Sequence, residues 1–592
     1  MQIMTVKEKV ASLREEMKKN NIEAFIVYSA DPHMSEYLPD EWQERTWISG
    51  FTGSAGFVVV TMDKAGLWTD GRYFTQGPVE LEGSGIDLFK DGVEGTPNYV
   101  DWIISQTSEN AKVAVNALAT SNANWEKVKT KLESKGCELV DKPLLKNIWT
   151  DRGTESKNPV FVHPIERAGQ SVVDKLSAIR EKMKEEDATA HIISSLDDVA
   201  WTVNLRGSDV DCNPVFLGYV YLSLENAILF VDTDKLEDAS KASMKESGVE
   251  IQEYNSFFDY LKTLKNETIL VSENSNQSIF EAVKENNTLI KKAVPGHLMK
   301  AIKNEAELKG FESVMVRDGV AMVNFLHWLT NTVGKEELDE YQIGQKLLDF
   351  RKKGKYFVGN SFDSIVGYKG NGAIIHYSAP EKGSSKVSDY GSILIDSGGQ
   401  YLDGTTDITR TLPLGEVTKE FKEDATRALQ GMIRLSMVKF PKGTKGVQLD
   451  VLARQALWEV GKDYNHGTGH GVGSFMNVHE GPQSIRKELN DIDLVPGMVL
   501  SNEPGYYVEG EYGIRHENLF VVKEWKKTKW NSFYEFETLT YCPFFSSIIV
   551  KDLLSQEEID WLNQYHNACE EKLAPHLKGE VKEWFLEMVK PI

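Results

Sequence analysis

Apolar positions recur along this chain at two periods, and each change of period marks an element. Lys7 to Asn20 carries apolar residues at helical spacing and predicts an amphipathic helix. Ala24-Phe25-Ile26-Val27-Tyr28 and Gly56-Phe57-Val58-Val59-Val60 are short unbroken apolar runs that predict buried strands, and Leu67-Trp68-Thr69-Asp70 follows them. This alternation predicts an α/β layer. Asp151 to Pro164, rich in Gly, Pro, Asn and charge, reads as a linker. Beyond it the pattern restarts: Ala190-His191-Ile192-Ile193-Ser194-Ser195 resembles Ala24 to Ser29, and Trp201 with Arg206-Gly207-Ser208 resembles Trp47 with Thr52-Gly53-Ser54. Two related domains in tandem are expected. A second break falls at Pro295-Gly296. Asn304 and Glu307 then have the spacing of a capping box, opening a helix whose apolar face carries Leu308, Phe311, Met315, Val316, Met322, Val323 and Phe325. Further helices are predicted at 338–351, 420–440 and 449–460, with strands at 392–395, 498–500 and 519–522. The tail from Ser555, with Glu558 at its third helical position, predicts two helices bearing Trp561, Tyr565, Trp584 and Phe585 as exposed aromatics, suited to docking on the body or on another subunit. The predicted domains are 1–155, 156–300 and 301–592, the last with a helical extension at 550–592.

Composition narrows the partners. The chain has 592 residues, enough for roughly three or four domains. Hydrophobic residues make up 41% and charged residues 26%, so large cores can form. A formal net charge of −22 makes nucleic acid and anionic membranes poor partners. Cys137, Cys212, Cys542 and Cys569 have no Cys-x-x-Cys spacing, which argues against a zinc ribbon or a disulfide framework. The start of the chain has no apolar signal core, and no run of apolar residues is long enough to span a bilayer; a cytoplasmic location is expected.

The residues suited to chemistry crowd into 360–519. In Ile393-Leu394-Ile395-Asp396-Ser397-Gly398-Gly399 an apolar strand ends in an acid, and a Thr-rich strand carries Asp407. A hairpin centred near Tyr401 would set Asp396 across from Asp407. Turn residues near Gly510 likewise separate Glu503 from Glu517. Burying like charges side by side is unfavourable unless a cation or proton offsets them, and two such hairpins in one domain are hard to explain as solvated loops. His466-Gly467-Thr468-Gly469-His470-Gly471 holds too many glycines for a zinc-binding helix face; it reads as a loop whose backbone approaches a ligand, with His466 or His470 supplying an imidazole. His376 and His479 add two more. Four carboxylates and one histidine balance two divalent cations, and an oxygen-rich set with one nitrogen suits manganese or another hard-to-borderline metal better than a thiolate-type zinc site does. Two such ions about 3.5–4 Å apart can hold a bridging water and ionise it near neutral pH. That is a hydrolase constellation.

The ordered set Asp396, Asp407, His470, Glu503, Glu517, with the His466–Gly473, Glu503-Pro504-Gly505 and Arg515-His516-Glu517-Asn518 motifs, resembles the ligand set of the pita-bread (creatinase/aminopeptidase) metallopeptidases. Along essentially its whole length, including Trp68-Thr69-Asp70-Gly71-Arg72-Tyr73 and Asp560-Trp561-Leu562, the chain is most similar to the three-domain Xaa-Pro aminopeptidases of that family. The resemblance implies two creatinase-like N-terminal domains followed by a pita-bread catalytic domain. It implies Asp407, His470 and Glu517 around one metal, Asp396, Glu503 and Glu517 sharing the other, Asp407 touching both, and manganese as the usual ion. It further implies a homodimer acting on peptides with a free N-terminus and proline second. In that reading Glu503 moves the proton, His376 and His479 stabilise the oxyanion and position the peptide, and His466, Tyr507 and Arg515 surround the proline. A prolidase, with the same metal set, is the enzyme alternative; a peptide-binding or scaffold protein on the same fold is the non-enzyme alternative.

Overall fold

The computed structural model describes residues 4–592 and divides into two compact units. The first comprises Met1–Pro164, Gln170–Asp211 and Val215–Gly296. It contains two six-stranded sheets of one topology. In the first, Ala24–Tyr28 pairs antiparallel with Phe57–Thr61 and parallel with Lys112–Val115; in the second, Ala190–Ile193 pairs antiparallel with Gly218–Ser223 and parallel with Thr268–Val271. The flanking strands follow the same permutation in both. The repeated apolar runs of the sequence are therefore equivalent central strands. Helices such as Val6–Lys19 and Val172–Glu185 pack on these sheets, and the central strands are buried along nearly their whole length, which is why they read as unbroken apolar runs.

The second unit comprises Ile165–Gly169, Cys212–Pro214 and His297–Ile592. The division after Gly296 falls inside the helix Pro295–Ala301. The helix Glu305–Thr332 opens on the expected box: Asn304 Oδ1 accepts from the Glu307 amide at 3.1 Å, and the Glu307 carboxylate accepts from the Asn304 amide at 3.0 Å. Such a cap contributes about 1 kcal/mol. The helix buries Phe311, Met315, Met322, Phe325 and Leu329. At Gly310 an added Cβ would strike the Asp403 carbonyl, so glycine there lets a hairpin turn rest directly on the helix.

Two sheets carry the unit's long hairpins. In the first, Ser392–Tyr401 lies between Phe357–Tyr368 and Ile408–Pro413. In the second, the order is Lys439–Pro441, Ser532–Thr538, Asn518–Lys527, Val499–Asn502, Gly469–Gly471, Glu480–Ile485. Lys419–Met437 and Gly446–Trp458 are helices close to their predicted spans. The tail forms helices Gln556–Leu573 and Gly579–Met588, the first closed by a Ser555–Glu558 capping box. Its aromatics dock on the body, one of the two placements expected of them. Tyr565 and Phe585 are buried in a cluster with Val323, Leu429, Met432, Ile433 and Phe544, while Trp561 and Trp584 are half-buried against it. The apolar faces of the tail are thus met by this unit's own helices. Among the described residues, no helix is long and apolar enough to cross a membrane.

Candidate metal centre

The two predicted hairpins deliver the acids with different registers. Asn502 pairs with Asn518 and Gly505 with Arg515, so Glu503 and Glu517 stand opposite one another between those pairs, as a turn at Gly510 requires. In the other hairpin Gln400 pairs with Thr405 and Asp396 with Thr409, so the turn lies at Leu402-Asp403 instead of Tyr401. Asp396 therefore faces Thr409, and Asp407 is displaced along the strand by two residues. The side-chain period is two, so both acids keep the same face despite the shift. The glycines of the intervening turn explain the misreading, since they left its centre undefined.

His470 lies on the short strand Gly469–Gly471. An added Cβ at Gly469 would strike the Ser501 carbonyl, and one at Gly471 the Glu480 carbonyl, so glycines on both sides let this strand press between its neighbours. His470 Nδ1 contacts the Gly471 carbonyl at 2.9 Å, which leaves Nε2 facing Asp407 Oδ2 and Glu503 Oε1, each at 3.4 Å. Ligand atoms of Asp407, His470 and Glu517 all lie within 4.8 Å of one another. Asp396 is instead held on one oxygen by Arg515, at 2.7 Å from Nη2 and 3.2 Å from Nε.

The electrostatics are those of a cluster with surplus negative charge. Burial, reinforced by the charges of Asp407 and Asp396, pushes the Glu503 carboxyl up to about 7, against the pull of His470 and Arg515. Burial and the neighbouring acids push Glu517 well above the usual carboxylate range, and burial raises Asp396 despite Arg515. Burial disfavours charge on His470, but the hydrogen bond to Asp407 and the charges of Glu503 and Asp407 outweigh it and raise the imidazole to about 9. Asp396 Oδ1 and Asp407 Oδ1 are buried without a hydrogen-bond partner. Orphaned acceptors beside acids that cannot all ionise fit a site built for cations.

The remaining predicted residues fall into two groups. His479 sets its ring edge-on to His470 at 4.4 Å between centroids. His466 Nε2 lies 2.8 Å from the Tyr507 hydroxyl, and that hydroxyl accepts from Arg515 Nη1 at 2.7 Å, so these three form one chain ending on Asp396. His376 is half-buried and follows Ile375, whose carbonyl accepts from Arg515 at 3.4 Å. Sequence reasoning missed Thr409 and Ser501. Thr409 Oγ1 donates to Glu517 Oε2 at 2.7 Å, and Ser501 Oγ donates to Glu503 Oε1 at 3.0 Å while accepting the His470 amide at 3.0 Å. Each stands two positions from an acid on an extended segment, hence on the same face; that spacing was the available signal.

Comparison with known proteins agrees with this architecture. Residues 9–145 and 151–307 match the creatinase/prolidase N-terminal domain, 309–524 match metallopeptidase family M24, and 532–592 match the C-terminal region of peptidase M24. A probable Xaa-Pro aminopeptidase P from Laccaria bicolor is 39% identical over 99% of this chain and 93% of its own. Xaa-Pro aminopeptidase 1 of Dictyostelium discoideum is 39% identical over 100% of this chain and 97% of its own. The crystal structure of an X-prolyl aminopeptidase from Caenorhabditis elegans, described as a cytosolic enzyme with a di-nuclear active site, is 34% identical, with a TM-score of 0.96 and 100% of both chains covered.

Proposed function

Because the chain belongs to the Xaa-Pro aminopeptidase group of family M24 metallopeptidases, we infer that it is a metal-dependent exopeptidase removing the N-terminal residue from peptides with proline second. The observation that carries this reading is the convergence of Asp407, His470 and Glu517 with two further acids, Asp396 and Glu503, in a buried cluster that lacks the positive charge to balance it.

Two divalent ions fit that deficit. Asp407, His470 and Glu517 would hold one, and Asp396, Glu503 and Glu517 the other, with Asp407 reaching both. The oxygen-rich set with one imidazole favours manganese. When bound, the ions supply Lewis-acid polarisation and lower the pKa of a water. The protein's own groups do the rest. Glu503, oriented by Ser501, takes a proton from the attacking water on its carboxylate and returns it to the departing prolyl nitrogen. His479, beside His470, and His376 donate to the oxyanion that forms on the first carbonyl. Tyr507, fixed between His466 and Arg515, offers an aromatic wall to the proline ring. Arg515 also aims Asp396 and opposes part of the burial that raises its carboxyl. The same reading places the enzyme in the cytoplasm as a homodimer, with peptides as partners and no role for nucleic acid or membrane.

The deciding assay compares an Xaa-Pro-Xaa tripeptide with an Xaa-Pro dipeptide. Cleavage of the tripeptide before proline is expected; activity confined to the dipeptide would reassign the chain as a prolidase. Glu503→Ala is expected to abolish hydrolysis, and turnover within tenfold of the unaltered enzyme would remove Glu503 from its role.

A further inference from the structure

Arg410, on the strand Ile408–Pro413, is completely buried. Among the described residues no carboxylate pairs with it. Its guanidinium is satisfied by neutral acceptors. Nε donates to the Pro543 carbonyl at 3.2 Å, and Nη1 to the carbonyls of Thr409 and Glu517 at 2.9 and 2.7 Å. Nη2 donates to Asn518 Oδ1 at 2.8 Å, the Cys542 carbonyl at 2.8 Å and the Tyr565 hydroxyl at 3.0 Å. Its central carbon lies 4.0 Å from the centre of the Phe544 ring. A buried cation is costly to hold in this way unless its donors are matched, and the matching fixes the matched atoms in turn.

Two of those atoms bear on the metal centre. The Glu517 carbonyl belongs to a proposed ligand, and Thr409, the neighbour of Arg410, holds the same residue's carboxylate at 2.7 Å. The other end of the network lies in the tail. Tyr565, in helix Gln556–Leu573, accepts from Arg410 and from the Cys542 amide at 3.1 Å, and its hydroxyl has the Cys542 and Thr540 carbonyls as acceptors at 2.9 and 3.0 Å. Removing that hydroxyl leaves the buried Cys542 amide unmatched and takes away one of the three acceptors around Arg410 Nη2, the one that ties Arg410 to the C-terminal helix.

We propose that Arg410 and Tyr565 are positioning residues through which the C-terminal helix sets the backbone and side-chain direction of Glu517 at the metal centre. The extension thereby belongs to the metal-binding apparatus and does more than cover the domain's apolar surface. This rests on the reading of Glu517 as a ligand. Outer contacts of this kind tune metal affinity by about 10–100-fold.

The test titrates the full chain with Mn2+ against a competing chelator, at a temperature where every variant is folded. Tyr565→Phe keeps the ring stacked on Trp561, at 5.4 Å, and loses only the hydroxyl. Its Mn2+ affinity is expected to fall about tenfold or more, with kcat recovering towards the unaltered value at saturating Mn2+. Phe585→Leu loosens the same tail core but removes none of the network's hydrogen bonds; it is expected to lower Tm and leave Mn2+ affinity unchanged. If Tyr565→Phe does not accumulate, Phe544→Leu withdraws the ring beneath Arg410 and is expected to weaken Mn2+ binding in the same sense. Affinity within twofold of the unaltered chain in the hydroxyl or ring variant, or an equal loss in Phe585→Leu, overturns the proposal. An unaltered chain that takes up no Mn2+ overturns the metal reading itself, and the proposal with it.

Discussion

The loop from His466 to Gly473 touches two buried charged clusters that are settled in opposite ways. At its start, Arg454 donates to both oxygens of Asp450, at 2.6 and 3.3 Å, to Asp463 at 2.9 Å, and to the Tyr464 and His466 carbonyls at 2.7 and 2.8 Å. Thr468 completes Asp450 with a 2.5 Å bond. With Lys487 on Asp463 at 3.0 Å, two cations match two anions within the protein, and the cluster anchors the loop. A few residues on, His470 faces Asp407 and Glu503, where the acids outnumber the cations and two carboxylate oxygens have no partner. Buried acids are therefore common to both regions. What distinguishes the proposed metal centre is charge left over after the protein's own groups have been paired, and that surplus calls for a bound cation.

Four changes test this contrast. Asp407→Asn preserves shape and removes one charge from the open cluster; loss of activity below detection is expected, with elemental analysis showing fewer than two metals per folded chain. Full metal content in that variant would break the contrast. Asp450→Asn strikes the closed cluster and leaves Arg454 with half-exposed Asp463 as its carboxylate partner. It is expected to cost about 3 kcal/mol of stability, read as a lower denaturation midpoint, while metal content of the folded protein stays at the unaltered value. Next in size, His479→Ala is expected to lower kcat about 10²-fold, the scale of losing one oxyanion donor, with metal content unchanged. An unchanged kcat would make His479 a purely structural neighbour of His470.

The fourth change is one of pH. Glu503, near 7, and His470, near 9, both bind protons more tightly in the folded metal-free chain than their ordinary values of 4.5 and 6.5. The folded state then carries protons that the unfolded chain has released, so stability falls as pH rises, from about 4.5 through 7 for Glu503 and from about 6.5 through 9 for His470. Each contributes at most about 1.4 kcal/mol per pH unit. Metal favours the deprotonated ligands and opposes this trend. Thermal unfolding is expected to show Tm of the metal-free chain dropping between pH 5 and 9 more steeply than that of the metal-loaded chain. Parallel profiles would mean that the cluster does not exchange protons for metal.

Much of the architecture was legible in the chain. Capping boxes at Asn304 and Ser555 were readable because both partners lie within one turn. The unbroken apolar runs at Ala24 and Ala190 marked equivalent central strands because a strand covered on both faces has no polar alternation. The opposition of Glu503 and Glu517 followed from a well-marked turn at Gly510. The Asp396–Asp407 register was misjudged by two residues, and the tail aromatics were left between the body and another subunit, because neither a diffuse turn nor a covering surface is encoded locally.

Residue types, their strand or helix setting and the two carboxylate hairpins were determined by sequence alone, since each depends on neighbours a few positions away. Which charges are matched was decided only by the tertiary structure. Arg515 meets Asp396 across 119 positions and Arg410 meets the Glu517 carbonyl across 107. Hydrogen bonds of about 3 Å depend on where the folded backbone brings distant segments together, and side-chain chemistry alone does not specify that placement.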